Sequence, residues 1–362
     1  MNSTARQPSC IVIGAGAVGV IAAYSLSRAH KCTVSLVVRS DYDHVMKQGY
    51  QIDSCDYGFI QCWKPNHVYQ SAVDAASSKI FFDYIIVTVK NIPDGPVQDR
   101  ISEIVRPIVD SNRNLSQRRL TNILLIQNGI DIEKEVLNNF EETKYNLSLL
   151  SGVQMIASTK IGPGNVQQSG RDSISIGAFN CEDHRAVSSA HEFVSIYQNE
   201  GCNYVDYDPN VRYTRWRKLL YNATISTTTT LAGLDALRCI EFGQDQKGTE
   251  VYILRPAMKE IIAIAASEGI YLGDDQIEHF LKVARKLIYK PSMCVDFEKG
   301  RLMELEVILG HPIRIAQSNE IQTPTLMVLY HLLTLLQAKV KESKGLIGLE
   351  GCPPILVENS LN

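Results

Sequence analysis

The chain has no uninterrupted apolar run approaching the roughly 18 residues that a membrane-spanning helix requires, so no membrane partner is expected. Neither sign of charge dominates. The formal net charge is −3, from 36 Lys and Arg against 39 Asp and Glu, and this argues against a general nucleic-acid binder. The nine cysteines are scattered, with no CxxC and no paired spacing of the kind that holds zinc. Cys10 and Cys239 read as buried small hydrophobes, Cys62 and Cys181 as loop residues. None of the eight histidines falls in an HxxxH or HExxH pattern, so no metal site is expected. The segment before Cys10, MNSTARQPS, carries no apolar stretch, so no secretory signal is expected. With an odd cysteine count, this points to reduced thiols in the cytoplasm. Internal repeats and low-complexity tracts are missing, apart from the run Thr227 to Thr230. At 362 residues the chain is too long for one small core and suits two domains.

What is present is organised around Cys10 to Arg39. Cys10-Ile11-Val12-Ile13 is a short apolar run of the kind a buried parallel strand shows. Gly14-Ala15-Gly16-Ala17-Val18-Gly19 follows at once, then a helical stretch from Val20 to Leu26, then a second β-branched run from Thr33 to Val38. Strand, glycine turn, helix and strand in this order form the context in which GxGxxG binds a dinucleotide. Gly14 makes the tight turn, Gly16 lets the backbone approach a pyrophosphate, and Gly19 lets the helix pack closely on the strand. The second strand ends Val37-Val38-Arg39-Ser40, without the carboxylate that usually accepts from the ribose of NAD. The next acids are Asp41 and Asp43. Arg39 offers a planar, permanently charged fork suited to a 2′-phosphate, so the expected cofactor is NADP(H). The competing reading has Arg39 as a solvated surface residue and Asp41 as the ribose acceptor.

Further along, Asp41 to Gln48 predicts a short helix. Tyr50 to Ile52 and Phe59 to Cys62 predict a hairpin around Asp56-Tyr57-Gly58, with His67 to Tyr69 as a third strand of the same excursion. Asp83 to Val89 is a buried strand ending at Lys90, where ligands of an open parallel sheet lie. By position alone, a cofactor contact and a surface lysine are equally consistent with Lys90. Arg100 to Val109 predicts a helix and Ser111 to Arg119 a solvated basic loop. Asn122 to Ile126 is the next strand. It ends Gln127-Asn128-Gly129, where Asn128 is either a turn residue or a donor and acceptor at the nicotinamide ribose. From Leu149 the texture becomes an antiparallel meander: Ser151 to Lys160, Asn165 to Ser169 and Asp172 to Gly177. Ala186 to Glu200 is an amphipathic helix and Cys202 to Val205 a last strand. Asp208-Pro209-Asn210 breaks the chain, which places one domain at 1–208 and a second at 209–362. The second reads as helical almost throughout: Val211 to Leu231, Thr249 to Glu268, Asp274 to Lys286 and Thr325 to Lys341. A stretch Leu302 to Leu309 leads to Gly310-His311-Pro312, and a loose tail runs from Gly345 to Asn362.

Lys218, Asn222 and Ser226 are four residues apart and share a helix face. Facing a nicotinamide, such a lysine and asparagine could bind a carboxylate and a ketone oxygen. Hydride reduction of a ketone leaves a developing alkoxide, which needs a positioned cation and a proton, and Lys218 can supply both. From this helix alone, a solvated lysine fits the pattern better. Ser292 reads as an N-cap. Glu304 is an acid in an apolar run; it could pair with Lys218 or hold a hydroxyl, and taken alone it reads as a surface glutamate.

Taken together, these pieces resemble the ketopantoate reductases (2-dehydropantoate 2-reductases) from Cys10 to about Lys341. The resemblance is carried by Gly14 to Gly19, Lys90, Asn128-Gly129, Lys218 with Asn222, and Ser292 with Glu304 twelve residues later. It implies an α/β fold: an N-terminal Rossmann-type parallel sheet with an antiparallel extension, followed by an all-helical C-terminal domain, with the active site in the cleft. It implies NADPH-dependent reduction of a small-molecule 2-oxo acid, 2-dehydropantoate, to (R)-pantoate on the way to coenzyme A. Lys218 would be the general acid and would orient the ketone, and Glu304, the second catalytic residue, would support the substrate or the cofactor ribose. Asn222, Ser226 and Ser292 would meet substrate oxygens. Gly14, Ala15, Gly16, Ala17, Val18, Gly19, Arg39, Lys90 and Asn128 would hold the cofactor. One departure stands out: Ser226 replaces a second asparagine common in bacterial members. It keeps a reductase of another branched 2-oxo acid open, beside a non-catalytic NADP(H) sensor. The apolar face of Thr325 to Lys341 suits either the core or a homodimer surface.

Overall fold

The computed structural model describes residues 6–286 and 288–352, so the end of the tail expected from Gly345 onward lies outside the described residues. The chain divides into two compact units. One holds residues up to Lys90, Ile101–Gln127 and Ile132–Arg212; the other holds Asn91–Arg100, Asn128–Asp131 and Tyr213 onward. Two short segments that directly follow strands in the chain therefore group with the C-terminal helices.

The first unit is a mixed α/β structure. Its strands are β1 (Ser9–Ile13), β2 (Thr33–Val37), β3 (Tyr50–Ser54), β4 (Gly58–Trp63), β5 (His67–Tyr69), β6 (Tyr84–Val87), β7 (Thr121–Leu125), β8 (Leu147–Met155), β9 (Ser158–Gly162), β10 (Asn165–Gln168), β11 (Ser173–Ala178) and β12 (Tyr204–Tyr207). The main sheet is eight-stranded, in the order β12-β11-β8-β7-β6-β1-β2-β5. Its neighbours pair in parallel from β5 through β8; β11 is antiparallel to β8, and β12 is parallel to β11. β1, β6 and β7 are buried at every residue, which is why they read as unbroken apolar runs rather than alternating ones. Helix α1 (Ala17–Ala29) buries Val20, Ile21, Ala22, Ala23 and Leu26 in the same core as Cys10, Val12, Val34 and Leu36.

The chain departs from the sequence expectations in several places. β5 is not part of the hairpin excursion; it is the edge strand of the main sheet, parallel to β2. The predicted meander is split. β8 and β11 join the main sheet, whereas β9 and β10 pair with the β3–β4 hairpin in a second, four-stranded sheet of order β4-β3-β10-β9. Cys62 lies within β4 and not in a loop. The helix expected to stop at Val109 runs from Ile101 to Leu115, because the Asn112 amide is consumed in the core. Asn112 accepts from the Phe82 amide at 2.9 Å and donates to the Phe82 carbonyl at 2.8 Å. Arg119 is not simply solvated: it pairs with Asp83 at 2.6 Å and lies over the Phe81 ring.

In the second unit, the helix predicted from Val211 to Leu231 is interrupted. An α-helix (Val211–Leu220) passes through a π turn (Tyr221–Ile225) into a further helix (Ser226–Ala232). The threonine run stays helical while buried because its hydroxyls donate to carbonyls one turn back, Thr227 to Ala223, Thr228 to Thr224 and Thr230 to Ser226. Two more π turns, Glu250–Leu254 and Glu306–Gly310, pack against the first. The Glu306–Gly310 turn feeds directly into the helix His311–Ser318; Pro312 has no N–H to donate back into the turn, and the Val307 carbonyl accepts from the Ile130 N–H. Ser292 is the first residue of the helix Ser292–Glu298, is exposed, and caps nothing with its side chain. Among the described residues, no helix is long and apolar enough to cross a membrane.

Candidate active site

In the first unit, the glycine turn between β1 and α1 is shaped by close approach. Gly14 has φ +117°, and a Cβ there would lie 2.7 Å from Thr88 Oγ1. The Thr88 hydroxyl donates to the Gly14 carbonyl at 3.0 Å. A Cβ on Gly19 would fall 1.8 Å from the Gly14 oxygen, so no side chain fits between helix and turn. Gly16 differs: it is exposed, and nothing lies within 4 Å of where its Cβ would be. It precedes α1 in an extended conformation, without a side-chain cap and without an acid in the first helical turn. Open space at Gly16 beside an uncapped helix start fits the pyrophosphate of a dinucleotide.

Past β2, Arg39 and Asp41 have different surroundings. Arg39 is exposed. Asp41 is buried; it pairs with Lys160 Nζ at 2.5 Å and accepts from the Gly164 amide at 3.0 Å and the Ser40 hydroxyl at 3.0 Å. Burial works against its charge, but Lys160 and Gly164 outweigh that and hold the carboxyl below its usual range. Its acceptor oxygens serve the contact with the β9–β10 turn. Lys90 lies three residues past β6 and is half-buried.

The second unit brings together Asn128, Asn222 and Glu304. Glu304 is buried, accepting from the Asn128 amide at 2.8 Å and from the Asn91 backbone N–H at 3.2 Å. Asn222 donates to the Asn128 side-chain oxygen at 3.3 Å. This chain runs Asn222–Asn128–Glu304 and does not include Ser226 or Ser292. Lys218 lies one turn before Asn222. Asn222 falls in the π turn, whose wider i→i+5 winding offsets the drift that a four-residue spacing accumulates on an α-helix. Burial of the Lys218 amine, followed by the nearby Arg215 charge, brings its pKa down to about 8, while the Glu304 carboxylate pulls the other way.

The loop bearing Asn128 is held along its backbone. Gly129 has φ +93°, and a Cβ there would lie 2.4 Å from the Val307 oxygen. Ile130 donates its N–H to the Val307 carbonyl at 3.0 Å, and its own carbonyl accepts from His311 Nδ1 at 2.8 Å. Arg215 donates to the Gly129 carbonyl at 3.2 Å. The segment ahead of Glu304 is fixed by Gln337, buried, which accepts from the Met303 N–H and donates to the Met303 carbonyl, each at 3.0 Å. Sequence reasoning missed Asn91, Arg215, His311 and Gln337. Only Arg215 had a readable signal, its place three residues before Lys218 on the same helix.

A sheet unit opening on a glycine turn, joined to a helical unit, is the plan of a class of NAD(P)-dependent oxidoreductases. Residues 10–181 match the family model described as ketopantoate reductase PanE/ApbA, and residues 210–337 match its C-terminal counterpart. The chain belongs to the ketopantoate reductase family. It is 55% identical over 351 residues to the uncharacterized protein YDL144C of Saccharomyces cerevisiae, covering 96% of this chain and 99% of that one. The crystal structure of 2-dehydropantoate 2-reductase from Methylococcus capsulatus superposes with a TM-score of 0.72 at 30% identity, covering 92% of this chain and 97% of the other. The same fold is seen in a ternary structure of D-mandelate dehydrogenase with NADH and anilino(oxo)acetate, with a TM-score of 0.74 at 20% identity, covering 92% and 99% of the two chains.

Proposed function

We propose that this protein is an NADPH-dependent 2-dehydropantoate 2-reductase forming (R)-pantoate, with Lys218 as the general acid. The observation that carries the reading is the hydrogen-bonded chain Asn222–Asn128–Glu304, with Lys218 one helical turn before Asn222. Bound NADPH supplies hydride to the ketone carbon. The residues of this chain do the rest. Lys218, protonated, orients the ketone oxygen and gives its proton to the alkoxide as charge develops there. Asn222 directs its amide toward a substrate oxygen, with Ser226 and Ser292 as further hydroxyl partners. Glu304 holds the Asn128 amide and favours the charged form of Lys218. Gly14 to Gly19 receive the pyrophosphate, and Lys90 and Asn128 serve the cofactor's ribose and phosphate groups.

NADP(H) rather than NAD(H) is favoured by the pairing of Asp41 with Lys160. The first acid after β2 is already engaged, while Arg39, two residues earlier, is exposed and suited to a 2′-phosphate. The second reading, a reductase of another branched 2-oxo acid, is favoured by Ser226, which is buried and shorter than an asparagine amide.

The test is the loss of reduced-nicotinamide absorbance with 2-dehydropantoate, beside a panel of branched and aromatic 2-oxo acids. Turnover with 2-dehydropantoate above the rest is the expected result. Preference for another acid moves the protein to the second reading. Tight NADPH binding with no turnover on any acid makes it a sensor and overturns the catalytic assignment.

A further inference from the structure

Asp41 stands where an acid could serve a ribose, yet it is turned inward. Arg39 lies twenty residues past Gly19 and Asp41 twenty-two, the stretch from which the acid of an NAD site reaches the ribose hydroxyls. An acid with that task faces solvent until the dinucleotide arrives. Asp41 is instead 6% exposed. Both carboxylate oxygens are engaged: one accepts from the Ser40 hydroxyl at 3.0 Å, the other from Lys160 Nζ at 2.5 Å and the Gly164 amide at 3.0 Å.

Two of these three donors come from more than a hundred residues further along the chain. The second sheet delivers them. β10 runs parallel to β3, and the Gln51 amide donates to the Gly164 carbonyl at 2.8 Å. Gly164 has φ +66°, and a Cβ there would lie 2.4 Å from the His44 ring, so the turn between β9 and β10 sits directly on the short helix Tyr42–Gln48. Tyr50, Ile52 and Val166 of this sheet share a core with α1, the helix that the glycine turn opens. The glycine turn, Arg39, Asp41 and Lys160 all belong to the first unit.

We propose that Lys160 is a positioning residue for cofactor choice: it holds the Asp41 carboxylate away from the ribose, so that the loop after β2 meets a 2′-phosphate with Arg39 and without an opposing negative charge. The inference rests on the reading of that loop as the ribose end of an NADP(H) site. A carboxylate released two residues from Arg39 would accept from a 2′-hydroxyl and repel a 2′-phosphate. The Gly164 amide and the Ser40 hydroxyl orient the carboxylate but carry no net charge. Lys160 is the group that neutralises it, through a charge-assisted bond.

The experiment measures NADPH and NADH binding by isothermal titration to the full chain of wild type, Lys160→Met, Asp41→Asn and the double variant Asp41→Asn/Lys160→Met. Lys160→Met releases the carboxylate, so the preference for NADPH over NADH should fall by about ten- to a hundredfold, with NADH bound more tightly than by wild type. The double variant has no carboxylate to release, and its preference should return close to that of wild type. Asp41→Asn alone should not lower the preference. Lys160→Gln, which keeps a donor for Asp41 without the charge, covers the case in which Lys160→Met fails to fold and should move the preference the same way. A loss of NADPH affinity that the double variant does not recover would make Lys160 itself a phosphate contact. An unchanged preference would make the pair a structural brace. Either result overturns the proposal. If wild type shows no preference for NADPH, the NADP(H) reading fails; a gain in NADH affinity in Lys160→Met would still uphold the hold on Asp41, and no gain would overturn it.

Discussion

The Lys218 amine, with its pKa brought down to about 8, has a direct kinetic consequence. In reduction the protonated form is active, so kcat/KM falls as pH rises through that value. Between about pH 7 and about pH 9 the protonated fraction drops from roughly nine-tenths to roughly one-tenth, a loss of about tenfold in rate. An ordinary lysine, near pKa ~10.4, stays charged across the same range and gives a flat profile. In oxidation the neutral amine is the base, so the profile inverts and rises over the same window. Lys218→Ala removes the proton donor and should lower turnover by more than about tenfold, or ~1.4 kcal/mol. The assay is initial-rate nicotinamide absorbance in both directions in buffers of constant ionic strength. A reduction profile flat to about pH 10, or a Lys218→Ala rate within about tenfold of wild type, would remove Lys218 from the proton-transfer step.

Arg39→Ala should weaken NADPH by about 10- to 100-fold and NADH by much less, because only the former carries the 2′-phosphate; equal losses in isothermal titration would take Arg39 out of the phosphate site. Glu304→Gln removes the carboxylate that favours the protonated form of Lys218 and accepts from Asn91 and Asn128, so the alkaline limb should move to lower pH and kcat/KM should fall by about 10- to 100-fold. A limb that stays in place would show that Glu304 does not act on Lys218. Gly129→Ala forces a Cβ toward the Val307 oxygen at 2.4 Å and should lower thermal stability by about 1–3 kcal/mol, read as a fall in Tm. Asp41→Ala breaks the contact with Lys160 and Gly164 at a cost of about 2 kcal/mol. The folded-state pKa of Asp41 is depressed, so this contribution is fully present above about pH 4 and is lost as pH falls. Denaturation at about pH 7 and about pH 3 should show a smaller wild-type advantage at the lower pH.

Much of the fold is legible because its signals are local. β1, β6 and β7 announce themselves as apolar runs since both faces are covered, and Gly19 follows from its contact with the nearby Gly14 oxygen, although Gly14 itself is confined by Thr88, far along the chain. Asn128, Asn222 and Glu304, singled out in three separate stretches of the chain, are joined by hydrogen bonds in the structure. The boundaries that misled are those set by distant partners. β10 pairs with β3 across more than a hundred residues, so no local pattern assigns β9 and β10 to a second sheet. Asn112 looks like a loop residue until its amide is seen to complete the Phe82 backbone. The π turns use residues that an α-helix would also accept. The turn Tyr221–Ile225 packs against the other two, a contact that no local pattern announces.

The sequence by itself determined the two-part α/β and helical plan, the glycine turn and the candidate amine, because alternation, glycine spacing and helical periodicity act over a few residues. Only the tertiary structure decided that the Asp41 carboxylate is taken by Lys160 and that Arg215 anchors the Asn128 loop. It also decided the surroundings of Lys218, burial and Arg215 against the pull of Glu304, that bring its pKa down to about 8. Charge pairing and loss of water depend on which distant atoms surround a group, and that is fixed only when the chain has folded.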